Sequence, residues 1–111
     1  MIQSISKYLQ NNGITFETIV SIEPKQLGSR KKILILDCID INKDSYAIFF
    51  TEQKSRFIQK TAQDIFALQT KLQEDTKNVY KNNIIFINAP LCSKAKKLIE
   101  DNNWSLFHDL V

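Results

Sequence analysis

The sequence predicts a single α/β domain with a mixed sheet, in the order helix, three strands, helix, strand, helix, strand. Three observations predict it. The first half carries one very strong strand, KKILILDCIDI, followed by a polar turn and a second apolar strand. The second half alternates segments of helical periodicity with short apolar runs, the pattern of strands joined by crossover helices. The chain of 111 residues is 43% hydrophobic and holds only 2 Gly and 2 Pro, enough apolar matter for one core and too little punctuation for a linker.

Each element has its own warrant. Ile2, Ile5, Tyr8 and Leu9 recur at helical spacing, and Asn11-Asn12-Gly13 ends the pattern. Residues Ile14 to Ile22 alternate through Phe16, Thr18 and Val20 and read as a strand. Glu23 to Ser29, with Pro24 and Gly28, reads as a loop. Lys31–Ile41 and Tyr46–Lys54 form a hairpin about the polar turn Asn42-Lys43-Asp44-Ser45. From Phe57 to about Leu72, a stripe of Ile58, Ala62, Ile65, Phe66, Gln69 and Leu72 predicts a helix. Asn83–Ile87 is a short buried strand. Pro90 and Ser93 open a further helix with Ala95, Leu98 and Ile99 inward. Asn102-Asn103 closes it before a last strand, Trp104–His108. The first three strands are expected to be antiparallel and the later ones parallel.

Composition narrows the function classes. No apolar run approaches the roughly 20 residues of a membrane span, and the N-terminus has no apolar signal core. Cys38 and Cys92 follow no metal-ligand spacing and suit a reducing compartment, so a cytoplasmic protein is expected. Net charge is +3 and the isoelectric point about 8.9, which permits a nucleic-acid partner without requiring one. The lysine excess over arginine reads as codon bias of an AT-rich, bacterial type of genome.

The hairpin carries the chemistry. A turn over residues 42–45 would pair Ile41 with Tyr46, set Asp37 across from Phe50 and bring it diagonal to Glu52, with Lys54 beyond. Two carboxylates meeting on an apolar face want a shared proton or a divalent cation, and oxygen ligands of this kind suit Mg²⁺ or Mn²⁺. A neighbouring lysine would then orient a water and steady a phosphate. Asp40 competes with Asp37 for the role, since a one-residue slip or a bulge would exchange them. The plainer reading is a salt bridge at a sheet edge, because acid-any-Lys occurs three times in this lysine-rich chain.

Element order and motif placement here resemble the PD-(D/E)XK, or restriction-endonuclease-like, nucleases. That family carries an acid on the second core strand and an acid-any-Lys triplet on the third. The matching residues are Asp37 or Asp40, then Glu52 and Lys54, and the strand-helix-strand tail NNIIFINAPLCSKAKKLIEDNNWSLFHDLV is similar to the family's closing unit. The resemblance implies a metal-dependent nuclease-type domain acting on DNA or RNA phosphodiesters, with Asp37, Asp40 and Glu52 as metal candidates and Lys54 at the water. The first helix carries Lys7 and no glutamate, so a frequent auxiliary ligand is missing. The alternative is an inactive nucleic-acid- or protein-binding module of the same fold.

Basic clusters at Arg30-Lys31-Lys32 and at Lys54, Arg56 and Lys60 suit a phosphate backbone, as does Lys94, Lys96 and Lys97; solvated surface lysine is the plainer account of any one of them. A homodimer or partner protein would help a domain this small grip a duplex. Cys92, at a helix start, suggests a thiol-redox protein similar to arsenate reductases as a third reading, although a structural cysteine suits its late position better. Trp104 is expected in the core and His108 at the surface.

Overall fold

The computed structural model describes residues 2–108. It holds the expected order: α1 (Ile2–Asn11), β1 (Phe16–Ile22), β2 (Ile33–Asp40), β3 (Ser45–Glu52), α2 (Gln59–Thr76), β4 (Asn82–Asn88), α3 (Ser93–Asp101) and β5 (Ser105–His108), with a 3-10 turn at Pro24–Leu27. The five strands lie side by side in chain order. β1, β2 and β3 are antiparallel neighbours, while β4 and β5 each join in parallel. Parallel neighbours need a crossover, and α2 and α3 supply the two.

The middle strands of the sheet are covered on both faces, which explains why β2 and β3 read as nearly continuous apolar runs. On one face Ile35, Ala47, Phe49, Ile85 and Ile87 meet Ala62, Ile65, Leu68 and Leu72 of α2 and Ala95 and Ile99 of α3. On the other, Leu36, Cys38, Ile48, Phe50, Ile84 and Phe86 meet Ile5 and Leu9 of α1. Trp104 joins the first layer, stacked on Phe49 with ring centroids 5.5 Å apart. Ile58, expected on the inward stripe of α2, precedes that helix and is 45% exposed; Leu68 takes the buried place.

Helix ends follow their chemistry. Gly13 adopts a left-handed φ of 86°, and the Ile14 N–H returns to the Leu9 carbonyl at 2.8 Å, closing α1 as the Asn-Asn-Gly signal suggested. Asn103 does the same for α3 at φ 62°, with the Trp104 N–H on the Ile99 carbonyl.

The hairpin differs from expectation in one decisive respect. Its loop is Ile41-Asn42-Lys43, not residues 42–45. The Lys43 N–H donates to the Asp40 carbonyl, Lys43 takes a left-handed φ of 69°, and the Asp40 N–H donates to the Asp44 carbonyl, each bond 3.0 Å. This is a three-residue loop built on a type I turn and a bulge. Asp40 ties it down: its Oδ1 accepts the N–H groups of Asn42 and Asp44, both at 2.9 Å, and its Oδ2 accepts the Tyr46 hydroxyl at 3.1 Å. Asp37 therefore pairs with Ala47, not Phe50. The shift is an odd number of residues, so it also exchanges the faces.

Asp40 is 5% exposed. Burial works to raise its pKa, but the Asp44 N–H, the Tyr46 hydroxyl, the Asn42 N–H and the charge of Lys81 outweigh it and hold the carboxyl below its usual value. A depressed folded-state pKa adds stability that is complete above the unfolded pKa of about 4 and is lost as pH falls through the folded value. Asp40→Ala should therefore lower Tm by several degrees at pH 7 and show a smaller further loss on acidification than wild type, as thermal melts at pH 7 and pH 3 would read. Equal acid sensitivity in both proteins would contradict it. Leu9→Ala, which empties a fully buried position under α1, should cost about 2–5 kcal/mol in urea denaturation.

Candidate functional site

One edge of the sheet gathers most of the candidate residues. β3 and β4, running parallel, both end there, at Glu52 and Asn88, and antiparallel β2 begins there at Ile33. Side chains alternate, so Glu52 follows Tyr46, Ile48 and Phe50 onto the α1 face, and Asn88 follows Ile84 and Phe86 onto the same face. The two are cross-strand partners, and the Asn88 amide donates to Glu52 Oε2 at 2.7 Å. Glu52, Gln53, Lys54 and Asn88 line an open depression of about 530 Å³. A smaller one of about 210 Å³ is lined by Lys31, Lys32, Ile33, Thr51, Glu52, Gln53, Thr61 and Ile65.

The segment after β3 is held in place. The Gln53 N–H donates to the Asn88 carbonyl, and the Gln53 side-chain amide donates to the Ser55 and Arg56 carbonyls at 3.1 and 3.3 Å. Phe57 is fully buried; its N–H donates to the Pro90 carbonyl at 2.7 Å and its carbonyl accepts the Cys92 N–H at 3.0 Å. The exposed cations Lys54 and Arg56 thus project from an anchored loop.

The expected pairing of acids does not occur. Asp37 shares a face with Ala47, under the α2 layer, and Glu52 lies on the other face. Along the sheet they are five residues apart, about 17 Å at the usual rise of about 3.3 Å per residue. Asp37 serves Tyr80 instead: burial, opposed by a hydrogen bond with Thr76, and then the charge and hydrogen bond of Asp37 push the Tyr80 phenol up to about 12. Asp40 shares Glu52's face but lies at the opposite end of the hairpin, its carboxylate occupied by the turn. The hairpin pairing ends with Ile33 opposite Thr51, one residue short of Glu52. Among the described residues no group of three or more His, Cys, Asp or Glu side chains could hold a metal ion.

Among the described residues three ion pairs form: Lys31 with Asp64 at 3.3 Å, Lys43 with Glu17 at 2.5 Å and Lys81 with Asp44 at 3.1 Å. Two of these lie at the turn end of the hairpin. At the Glu52 edge Arg30, Lys32, Lys54, Arg56 and Lys60 pair with no carboxylate among the described residues. Asn88 is the site residue the sequence does not reveal, because its contact with Glu52 depends on the parallel register of β3 and β4.

The two thiols differ sharply. Cys38 is fully buried, and burial, then the charge of Asp37, pushes its pKa up to about 12. Cys92 caps α3; the Ala95 and Lys94 N–H groups lower its pKa against a small burial effect, helped by the charges of Arg56 and Lys94. The half-buried side chain packs against the helix-side core, as a structural cysteine would, but its thiol is shifted toward the thiolate.

No protein-family model matches this sequence, and no curated protein matches it either. Among solved structures it is similar to EndoMS in its apo form, with a TM-score of 0.55 and 12% identity over 86% of this chain. A repair endonuclease from Pyrococcus abyssi aligns over 83% of the chain at 16% identity and a TM-score of 0.46. The chain spans 38% of the length of each. At 12% identity the likeness to EndoMS is one of fold alone, an α/β architecture with a mixed sheet. Among the described residues no helix is long and apolar enough to cross a membrane.

The contrast between the thiols has a direct readout. Titration of the native protein with Ellman's reagent at pH 7 should modify Cys92 alone, Cys92→Ser should abolish the reaction, and denaturation should release the second thiol. Reaction of Cys38 in the native state would contradict the burial of β2.

Proposed function

We propose that this domain binds nucleic acid by its phosphate backbone at the Glu52 edge, and that it uses a nuclease-like fold for binding without a two-carboxylate metal centre. The observation that carries the reading is a group of basic side chains at one edge that form no ion pair among the described residues. Arg30, Lys32, Lys54, Arg56 and Lys60 crowd one edge without acid partners, whereas Lys43 and Lys81, at the other end, are neutralised by Glu17 and Asp44. Unpaired cations around a groove favour a polyanion, and displacement of its counterions drives association. A domain of this size covers little of a duplex, so a second copy or another domain would complete the grip.

Metal-dependent hydrolysis at the same edge is the competing reading. It is favoured by Glu52, Lys54 and Asn88 lining one depression. In it Glu52 and Asn88 would hold Mg²⁺ or Mn²⁺ and Lys54 would meet the phosphate, the ion supplying charge neutralisation. The donors at hand fit such an ion poorly: there is one carboxylate, already bound by an amide.

Fluorescence anisotropy with labelled single- and double-stranded oligonucleotides tests the proposal. Affinity should fall linearly with salt on logarithmic axes, with a slope of about 0.7–0.9 for each phosphate neutralised. Lys32→Ala, Lys54→Ala and Arg56→Ala should each reduce that slope by about 1, while Lys43→Ala and Lys81→Ala leave it unchanged. Binding that ignores salt, or that is insensitive to all three edge variants, would sink the proposal. Cleavage of the same oligonucleotides in Mg²⁺ or Mn²⁺, lost in Glu52→Gln and Lys54→Ala, would establish the hydrolytic reading in its place.

A further inference from the structure

We infer that the depression between the β1–β2 connection and α2 binds a phosphomonoester dianion, held by Arg30, Lys31, Lys71 and the Ser29 hydroxyl. Its ligand is the phosphate at a nucleic-acid strand end or on a small phosphate ester. The site stands apart from the nucleic-acid reading and is tested first without nucleic acid.

The chain builds the depression from an anchored loop and a helix flank. Pro24 opens the 3-10 turn, and buried Leu27 joins Leu68 of α2 in the helix-side core. Gly28 then takes a left-handed φ of 73°, and the Ser29 N–H returns to the Pro24 carbonyl at 3.0 Å. The residues that follow run beside α2, where Gly28, Ser29, Arg30 and Lys31 line a depression of about 320 Å³ together with Asp64 and Lys71. That is room for a phosphate group and several waters, at about 30 Å³ per water. A side chain at position 28 would begin 3.9 Å from Lys71 Nζ, so this ammonium lies over bare glycine backbone. The shared lining and this distance each bring Lys71 to the loop. The Lys31 N–H donates to Ser29 Oγ at 3.1 Å, which leaves the hydroxyl proton for an acceptor.

Charge selects the ligand. Arg30 and Lys71 form no ion pair among the described residues, and Lys31 meets Asp64 at 3.3 Å. Three cations against one carboxylate leave two positive charges in the depression. A phosphomonoester dianion matches them, whereas a backbone phosphodiester carries one charge. Glu74 and Asp75 share an adjoining depression with Lys71, which confines the anion to the Arg30 flank of that lysine. Lys31 also lines the 210 Å³ depression that reaches Glu52, so the phosphate site and the Glu52 edge adjoin at that residue.

An amide-detected NMR titration of the whole chain with methyl phosphate tests the inference, at a pH of about 8, above a phosphomonoester's second pKa of about 6. Resonances of Gly28 to Lys31 and of Lys71 should shift saturably. Dimethyl phosphate, a monoanion, should bind about tenfold more weakly. Lys71→Ala and Arg30→Ala should each weaken methyl phosphate by about tenfold, the order of one charge-assisted hydrogen bond, while Lys43→Ala leaves it unchanged. Arg30 and Lys71 are exposed, so both variants should keep the wild-type circular dichroism. The inference is overturned by the absence of saturable shifts at those residues, by shifts that survive in both folded variants, or by equal affinity for the two phosphates. Oligonucleotides with and without a 5′-phosphate then separate the sources. A gain in affinity from the 5′-phosphate, lost in Lys71→Ala, assigns the site to strand ends; methyl phosphate binding without that gain assigns it to a small phosphate ester. Salt-dependent binding through Lys32, Lys54 and Arg56 is read separately, so the two proposals fail independently.

Discussion

The Asp40 carboxylate is the constraint on which the arrangement of this molecule depends. It gathers two backbone N–H groups of the β2–β3 loop and the Tyr46 hydroxyl, and in doing so selects a three-residue loop over a longer one. Buried carboxylates are costly unless their lone pairs are used, and here three donors use them. Because strand side chains alternate, the length of that loop decides more than the loop itself. It sets which residues of β2 oppose which residues of β3, and so whether two acids meet or stay apart.

From that register the packing follows. β2 and β3 sit near the middle of a five-stranded sheet, with α1 on one face and α2 and α3 on the other. Both faces are apolar, so either register would have offered hydrophobic surface to both layers, and the hydrophobic pattern alone discriminates little. The polar turn breaks the tie. Its loop needs a left-handed residue at position 43, where lysine stands instead of the glycine or asparagine that usually marks such a place. The ion pair with Glu17, across the bulged start of β1, holds Lys43 at that corner.

At the opposite edge the same parallel and antiparallel pairings align strand ends that lie far apart in sequence. Glu52 meets Asn88 across a parallel pair, and its neighbour Thr51 meets Ile33 across an antiparallel one. The loop that follows is fixed by Gln53 and by the buried Phe57 between Pro90 and Cys92. The cations Lys54 and Arg56 on that loop form no ion pair among the described residues. Charges paired at exposed sites contribute little to stability and screen one another, whereas unpaired ones keep their field for a ligand.

Local signals in the sequence determined the elements. Helical spacing in α1 and α2, the Asn-Asn-Gly and Asn-Asn stops, and the apolar runs of β2 and β4 each act within a few residues, so they survive without tertiary information. The antiparallel-then-parallel sheet was legible for the same reason: a short polar turn permits only a hairpin, and an intervening helix forces a crossover. The acid-any-Lys triplet at Glu52 and Lys54 was legible as well, and so was its position at a strand end. Tertiary structure alone decided what faces Glu52. That depends on a difference of a few residues in loop length, and the loop length depends on the hydrogen bonds of Asp40 and on a left-handed lysine, neither of which leaves a mark in composition or periodicity. An odd shift in register moved Asp37 to the face away from Glu52, because side chains on a strand have a period of two.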